Sequence, residues 1–148
     1  MDVHNKETRS YNMSQIKGKN TKPEVKVRKH LFSRGFRYRV NDRRYPGTPD
    51  IILPKHKTVV FVNGCFWHRH EGCKYTTIPS TNTEFWLGKF KKNVENDAKN
   101  YNALAELGWQ VIVVWECEIK HDFLKTMDQI EMKINGHSRN TNVSDLED

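Results

Sequence analysis

Apolar residues recur along this chain with two different periods, and each change of period predicts a new element. From Thr21 onward, Val27, Leu31 and Phe32 share one face of a helical repeat, and Arg28, Lys29 and Arg34 stack on the other. Thr21-x-x-Glu24 is a capping-box pattern with Pro23 in the first turn, and Gly35 stops the segment. Phe36-Arg37-Tyr38-Arg39-Val40 alternates, which predicts a half-exposed strand with its apolar face inward. A polar, proline-broken loop over 41–49 leads to a short buried strand, Asp50-Ile51-Ile52-Leu53. Residues 54–57 turn the chain into a β-branched run, Thr58 to Val62.

A second capping-box pattern, Thr81-x-x-Glu84, opens the longest helix, Glu84 to Leu107. Its buried face is predicted to carry Phe90, Val94, Ala98, Tyr101 and Ala105, and Gly108 ends it. Trp109 to Trp115 is a further buried strand that delivers Glu116 and Cys117 at its end. Asp122 to Ile134 forms a last amphipathic helix. The order helix, three strands, helix, strand, helix implies an α/β fold, a central mixed β-sheet flanked by helices. Residues 21–134 make the folded domain. Residues 135–148 are expected to be a disordered tail, and 1–20 are a polar arm whose weak periodicity reads by itself as disorder.

A chain of 148 residues has room for one domain with a modest core. The formal net charge of +7 is spread along the chain, which suits a polyanionic partner or a well-solvated surface about equally. No apolar run has membrane length and no signal segment is visible, so a soluble, intracellular protein with no membrane contact is expected. An odd count of three cysteines argues against a disulfide framework and toward ligation or burial.

The chemistry concentrates in Phe61-Val62-Asn63-Gly64-Cys65-Phe66-Trp67-His68-Arg69-His70-Glu71-Gly72-Cys73, read as the loop leaving a buried strand. Cys65-x4-His70-x2-Cys73 offers three metal ligands, and Cys117 could close a tetrahedral Cys3His zinc site across the fold. Four protein ligands leave no open position, so such a zinc would be structural. Buried free cysteines beside surface histidines are the alternative. Phe66 and Trp67 have flat faces suited to stacking on a base, and His68 is free for proton chemistry. Asp50 follows Pro46-Gly47-Thr48-Pro49 and enters a strand, a placement that suits a divalent cation but also an ordinary turn aspartate. On the long helix Lys89 and Asn93 share a side with Trp86 and Asp97, as base readers or as a solvated face.

Pro46-Gly47-x-Pro49-Asp50, Phe61 through His68, Thr81-x-Thr83-Glu84-Phe85-Trp86 and Trp109 through Cys117 together resemble the very-short-patch repair endonuclease (Vsr) family. Asp2-Val3-His4 and Arg9-Ser10-x-Asn12-Met13 are similar to that family's N-terminal arm, so the likeness covers roughly residues 2–119. It implies the restriction-endonuclease-like fold and a strand-specific nickase for T·G mismatches arising from 5-methylcytosine deamination. It also implies catalytic Mg2+, a structural Zn2+, and double-stranded DNA bearing the mismatch as partner. A monomeric bacterial enzyme of the cytoplasm, working with mismatch-repair factors such as MutL, is expected with it.

Residue by residue, the resemblance makes Asp50 the magnesium-binding carboxylate with the Val62 backbone carbonyl as second ligand, and His68 the general base. Glu24 and Asp97 match supporting polar residues, and Cys65, His70, Cys73 and Cys117 match the zinc ligands. Phe66, Trp67 and Trp86 match aromatics that enter the DNA stack, while Met13 and Ile16 match an arm reaching the minor groove. Asn63 departs from the histidine of some members, and Arg69 to Gly72 differs from their histidine-rich segment. A site-specific restriction-like endonuclease and a zinc-stabilised, non-catalytic DNA-binding module are the competing functions.

Overall fold

The computed structural model describes the backbone of residues 21–147 and side chains as far as His137; the arm over 1–20, with Met13 and Ile16, lies outside the described residues. The first helix among the described residues, α1 (Lys22–Ser33), starts as its pattern predicts. Thr21 Oγ1 accepts from the Glu24 N–H, and the Glu24 carboxylate accepts from the Thr21 N–H, both at 3.4 Å. Val27 and Leu31 are buried beneath it, whereas Phe32 stands 56 % exposed with the Arg37 guanidinium over its ring.

Four strands follow: β1 (Arg39–Val40), β2 (Ile51–Leu53), β3 (Thr58–Asn63) and β4 (Gln110–Trp115). They form one sheet in the order β1-β2-β3-β4. The first two pairings are antiparallel and β3 pairs with β4 in parallel, Thr58 opposite Gln110 and Asn63 opposite Trp115. A parallel pair needs a crossover, which α3 (Thr83–Glu106) supplies. The expected strand over 36–40 shrinks to two exposed residues. Phe36 and Tyr38 still pack against the core, and the Tyr38 hydroxyl donates to the Arg28 carbonyl. At the sheet edge this leaves only Arg39 and Val40 to pair with β2.

Alternation along β2, β3 and β4 gives the sheet two apolar faces. Ile51, Leu53, Val60, Ile112 and Val114 pack with Val27 and Leu31 of α1 and with Met127, Ile130 and Ile134 of α5 (Phe123–Glu147). Ile52, Val59 and Phe61 point the other way, onto Leu104 and Tyr101 of α3, with Trp109 and Tyr45 beside them. The expected mixed sheet flanked by helices is therefore what the chain forms. Arg34 Nε donates to Glu131 Oε1 at 3.0 Å and ties α1 to α5. Among the described residues no helix is long and apolar enough to cross a membrane.

The helices differ from the sequence reading in four respects. Thr81 does not cap α3: Asn82 takes the N-cap in the left-handed region, and the Thr83 hydroxyl donates to the Pro79 carbonyl at 3.0 Å. The inward face of α3 is Trp86, Phe90, Asn93, Asp97, Tyr101 and Leu104, while Val94, Ala98 and Ala105 are exposed. The apolar count misplaced that face by about one position because two of its members are polar and are satisfied by the central loop. Helix α5 runs on to Glu147, through the segment expected to be a disordered tail. No proline lies between Phe123 and Glu147, and Gly136 is the single glycine, so nothing interrupts the hydrogen-bond ladder. Two short helices were not foreseen: α2 (Cys65–His68) inside the central loop and α4 (Glu116–His121) after β4.

Candidate active site and metal centre

Asp50 and the central loop meet because β2 and β3 are antiparallel. With Ile51 opposite Val60, the residue that enters β2 lies beside the residues that leave β3. The Val62 N–H donates to Asp50 Oδ2 at 2.6 Å. Upstream, Gly47 has φ +76, and a side chain there would strike the Asn100 side chain at 2.9 Å, so the turn can lie against α3 only as glycine. Burial, reinforced by the nearby Glu24 charge, pushes the Asp50 carboxyl up to about 7, against the opposing pull of the Val62 N–H, His68 and Arg28.

Asp50 opens onto a cleft of about 400 Å³ that also meets Glu24, Asn63, Gly64, His68 and Glu116. Glu24 is 1 % exposed, held by the capping box, and its Oε1 is buried with no hydrogen-bond partner. Arg28 approaches that oxygen only to 3.8 Å. A buried carboxylate oxygen without a bond beside a carboxyl group held near neutrality is a donor set suited to a hard divalent cation. The observed contact of Val62 with Asp50 is through its N–H, and Val62 lines the same cleft.

His68 ends the single turn of α2, and its Nδ1 lies 2.7 Å from Asp97 Oδ2. A carboxylate only accepts, so Nδ1 carries a proton, and in the neutral ring the lone pair is on Nε2. Asn93, one turn earlier on α3, donates from Nδ2 to the Trp67 carbonyl at 3.1 Å. Its side chain therefore holds the loop, and one amide hydrogen is no longer available to a base. Asn63, at the end of β3, donates from Nδ2 to the Tyr101 hydroxyl at 2.8 Å.

Behind this site Cys65, His70, Cys73 and Cys117 place one ligand atom each within 4.8 Å of one another. His70 Nδ1 is 3.7 Å from Cys65 Sγ and 3.3 Å from Cys117 Sγ. Ligands around a tetrahedral zinc lie ~3.5–3.8 Å apart, so this set fits one with little adjustment. Burial and the two neighbouring thiols push the Cys117 thiol up to about 12, a proton that a bound cation would displace. The His70 ring stacks on Trp115 at 4.4 Å, which fixes its plane. The four residues bring the central loop together with the start of α4, the short helix that directly follows the last strand.

On the far side of Trp67 and His68 lies a groove lined by Phe85, Trp86, Lys89, Asn93, Asn96 and Asp97. Trp67 and Trp86 lean together at 5.8 Å. Phe66 is set deeper, edge-on to Phe90 at 5.1 Å and to Trp67 at 5.1 Å, so it roots the aromatic group. Phe85 is 64 % exposed and belongs to the groove wall. With Trp86 and Phe90 facing inward, helical spacing turns position 85 outward. Trp109 does pack in the core, edge-on to Tyr45.

Three residues of the site carried no signal in the sequence. The Arg69 guanidinium donates to the carbonyls of Phe66, Thr76 and Thr77 and covers the Phe90 ring at 4.0 Å, stapling the loop to the segment beyond the cluster. Glu116 joins the cleft from the start of α4 and pairs with Lys120 at 3.0 Å. Tyr101 was counted as core alone. A lone arginine, glutamate or tyrosine at these positions has no spacing rule to mark it.

The chain is similar to known proteins over most of its length. The family model described as DNA mismatch endonuclease Vsr matches residues 1–75. The chain is 56 % identical over 120 residues to the type II nicking enzyme V.NmeAIP of Neisseria meningitidis serogroup A, covering 81 % of this chain and 85 % of that one. It is 44 % identical over 119 residues to the DNA mismatch endonuclease Vsr of Escherichia coli, covering 80 % and 76 %. A type II nicking enzyme of Xanthomonas oryzae, V.XorIIP, is 45 % identical over 113 residues, covering 76 % and 82 %.

Proposed function

This chain belongs to the DNA mismatch endonuclease Vsr family, and on that premise we propose that it nicks duplex DNA on the 5′ side of the mispaired T in a T·G mismatch. The observation that carries this reading is a shared wall. Trp67 and His68 separate the acidic cleft of Asp50 and Glu24 from the aromatic groove of Trp86 and Phe85. A duplex wedged on the aromatic side brings a backbone phosphate to the acidic side.

Recognition begins with stacking. A T·G wobble stacks poorly, so opening it costs less than opening a matched step. Unstacking costs a few kcal/mol, and each aromatic face returns about 1–3 kcal/mol. Trp67 and Trp86 present those faces while Phe66 anchors them. Lys89 lies along the same groove as a reader of a guanine edge. The arm with Met13 and Ile16 is proposed to reach the minor groove.

Cleavage needs a deprotonated water, countercharge at the phosphate and a proton for the leaving oxygen. His68 Nε2 takes the proton of the attacking water, and Asp97 holds the imidazole in that tautomer and stabilises the imidazolium that forms. The water oxygen bonds to phosphorus, the P–O3′ bond breaks, and solvent protonates the 3′ oxygen, leaving a 5′-phosphate. Asp50, the Val62 carbonyl and Glu24 would hold Mg2+, which when bound supplies positive charge against the phosphate. Cys65, His70, Cys73 and Cys117 would hold Zn2+ with four protein ligands, a set suited to keeping the loop in shape rather than to binding substrate.

The test is to separate binding from cleavage. With Mg2+, wild type nicks a T·G heteroduplex, and Asp50→Asn binds the same duplex without nicking it. Tight binding by wild type with no nick would favour a non-catalytic module. Equal cutting of both strands of a matched duplex would favour a restriction-like enzyme.

A further inference from the structure

Asn93, Asp97 and Tyr101 follow one another at intervals of four on α3 and form one ridge. Each meets a different point of the segment from Asn63 to His68. Asn93 holds the Trp67 carbonyl, Asp97 holds the His68 ring, and Tyr101 accepts from Asn63. The helix thus lies along the segment as a rigid template, contacting it at both ends.

The third contact is the one without an assigned role. Asn63 is 3 % exposed, and alternation in β3 puts its side chain on the α3 face of the sheet, after Phe61. The Phe61 ring meets the Tyr101 ring edge-on at 4.9 Å, which fixes where the hydroxyl lies. A buried amide hydrogen needs an acceptor, and that hydroxyl is the one it has here. The residue before Asn63 is Val62, whose N–H binds Asp50. Tyr101 therefore fixes the strand end that carries the Asp50 contact, while Asp97, one turn away, fixes His68.

We propose that Tyr101 is a positioning residue for nicking, acting through Asn63 to set Asp50 and Val62 against His68 and Asp97. This rests on the reading of Asp50 and His68 as the groups of the cleavage step.

The experiment compares Tyr101→Phe, Asn63→Ala and the double variant by single-turnover nicking of a T·G duplex with saturating protein and Mg2+. Duplex affinity without Mg2+ and melting curves are measured in parallel, and rates are taken well below each melting point. Each single variant should be slower by about 10- to 100-fold, since a small misplacement at a reacting centre costs that much. Affinity should stay within about twofold, because loss of alignment spares uniform binding. The double variant should be no slower than the slower single, as for two members of one contact. Should Tyr101→Phe fail to fold, Asn63→Ala, which removes the donor and keeps the phenol ring, decides the matter. A wild-type rate in the folded variants, or losses that multiply in the double, overturns the proposal. A His68→Ala control at the wild-type rate would sink the underlying reading, whereas a slow control beside a wild-type Tyr101→Phe sinks only the positioning role.

Discussion

Asp50 shows how one carboxyl group can be set against stability for the sake of a site. Its folded pKa of about 7 lies above the ordinary carboxyl value of 3.8. The native state therefore keeps a proton that the unfolded chain releases, and the stability Asp50 contributes is fully present below about 4 and lost as pH rises through 7. Melting in magnesium-free buffer should show this decline between roughly pH 4 and 7 in wild type and a flatter profile in Asp50→Asn. Equal slopes would mean that the carboxyl ionises normally. Magnesium favours the ionised form, so its stabilising effect should grow over the same range. His68→Ala should slow nicking by about 10²–10⁴-fold while leaving duplex affinity intact. The structure brings Asp50 and His68 to one cleft, and in the sequence they stood out only through the family resemblance, because Asp50 by itself reads equally as a turn residue. The His68–Asp97 pair is 29 positions apart, and only the assembled helix face brings it together.

At the scale of elements, the metal cluster was visible in spacing, because Cys65, His70 and Cys73 fall within nine residues and Cys117 follows a readable strand. The one-turn helix α2 and short α4 were not, since four to six residues hold too little of a period to be seen. Helix α3 was found but its inward face was not, because Asn93 and Asp97 are polar and face inward to bind the loop. Purified protein should carry one zinc per chain that excess magnesium does not displace, as elemental analysis would show. Cys117→Ser should lose that zinc and much of the nicking activity together, while retention of both would remove Cys117 from the set. Arg69→Ala leaves three carbonyls without their donor and should destabilise the protein by about 1–3 kcal/mol in denaturant melts.

Taken whole, the molecule presents a net charge of +7 and a groove in which aromatics and Lys89 adjoin an acidic cleft. The charge acts on any duplex, so affinity should fall linearly in a log–log plot against salt, for matched and mismatched DNA alike. The wedge acts only where the stack is weak. Trp67→Ala should therefore lower the ratio of mismatched to matched binding at fixed salt by about tenfold, within the 1–3 kcal/mol of one lost stack. An unchanged ratio with lower overall affinity would return Trp67 to a packing role. Charge, the order of elements along the chain and the aromatic pair were all readable from the sequence; the common wall between groove and cleft was not, because it depends on where α2 sets Trp67 and His68. The measurement that bears most directly on the account is strand-resolved nick mapping on an end-labelled duplex with a single T·G mismatch, with Mg2+ and protein in excess. A single nick in the thymine strand, on the 5′ side of the mispaired T and ending in a 5′-phosphate, is the predicted result. Cleavage in both strands, or equal nicking of the matched duplex, would contradict it.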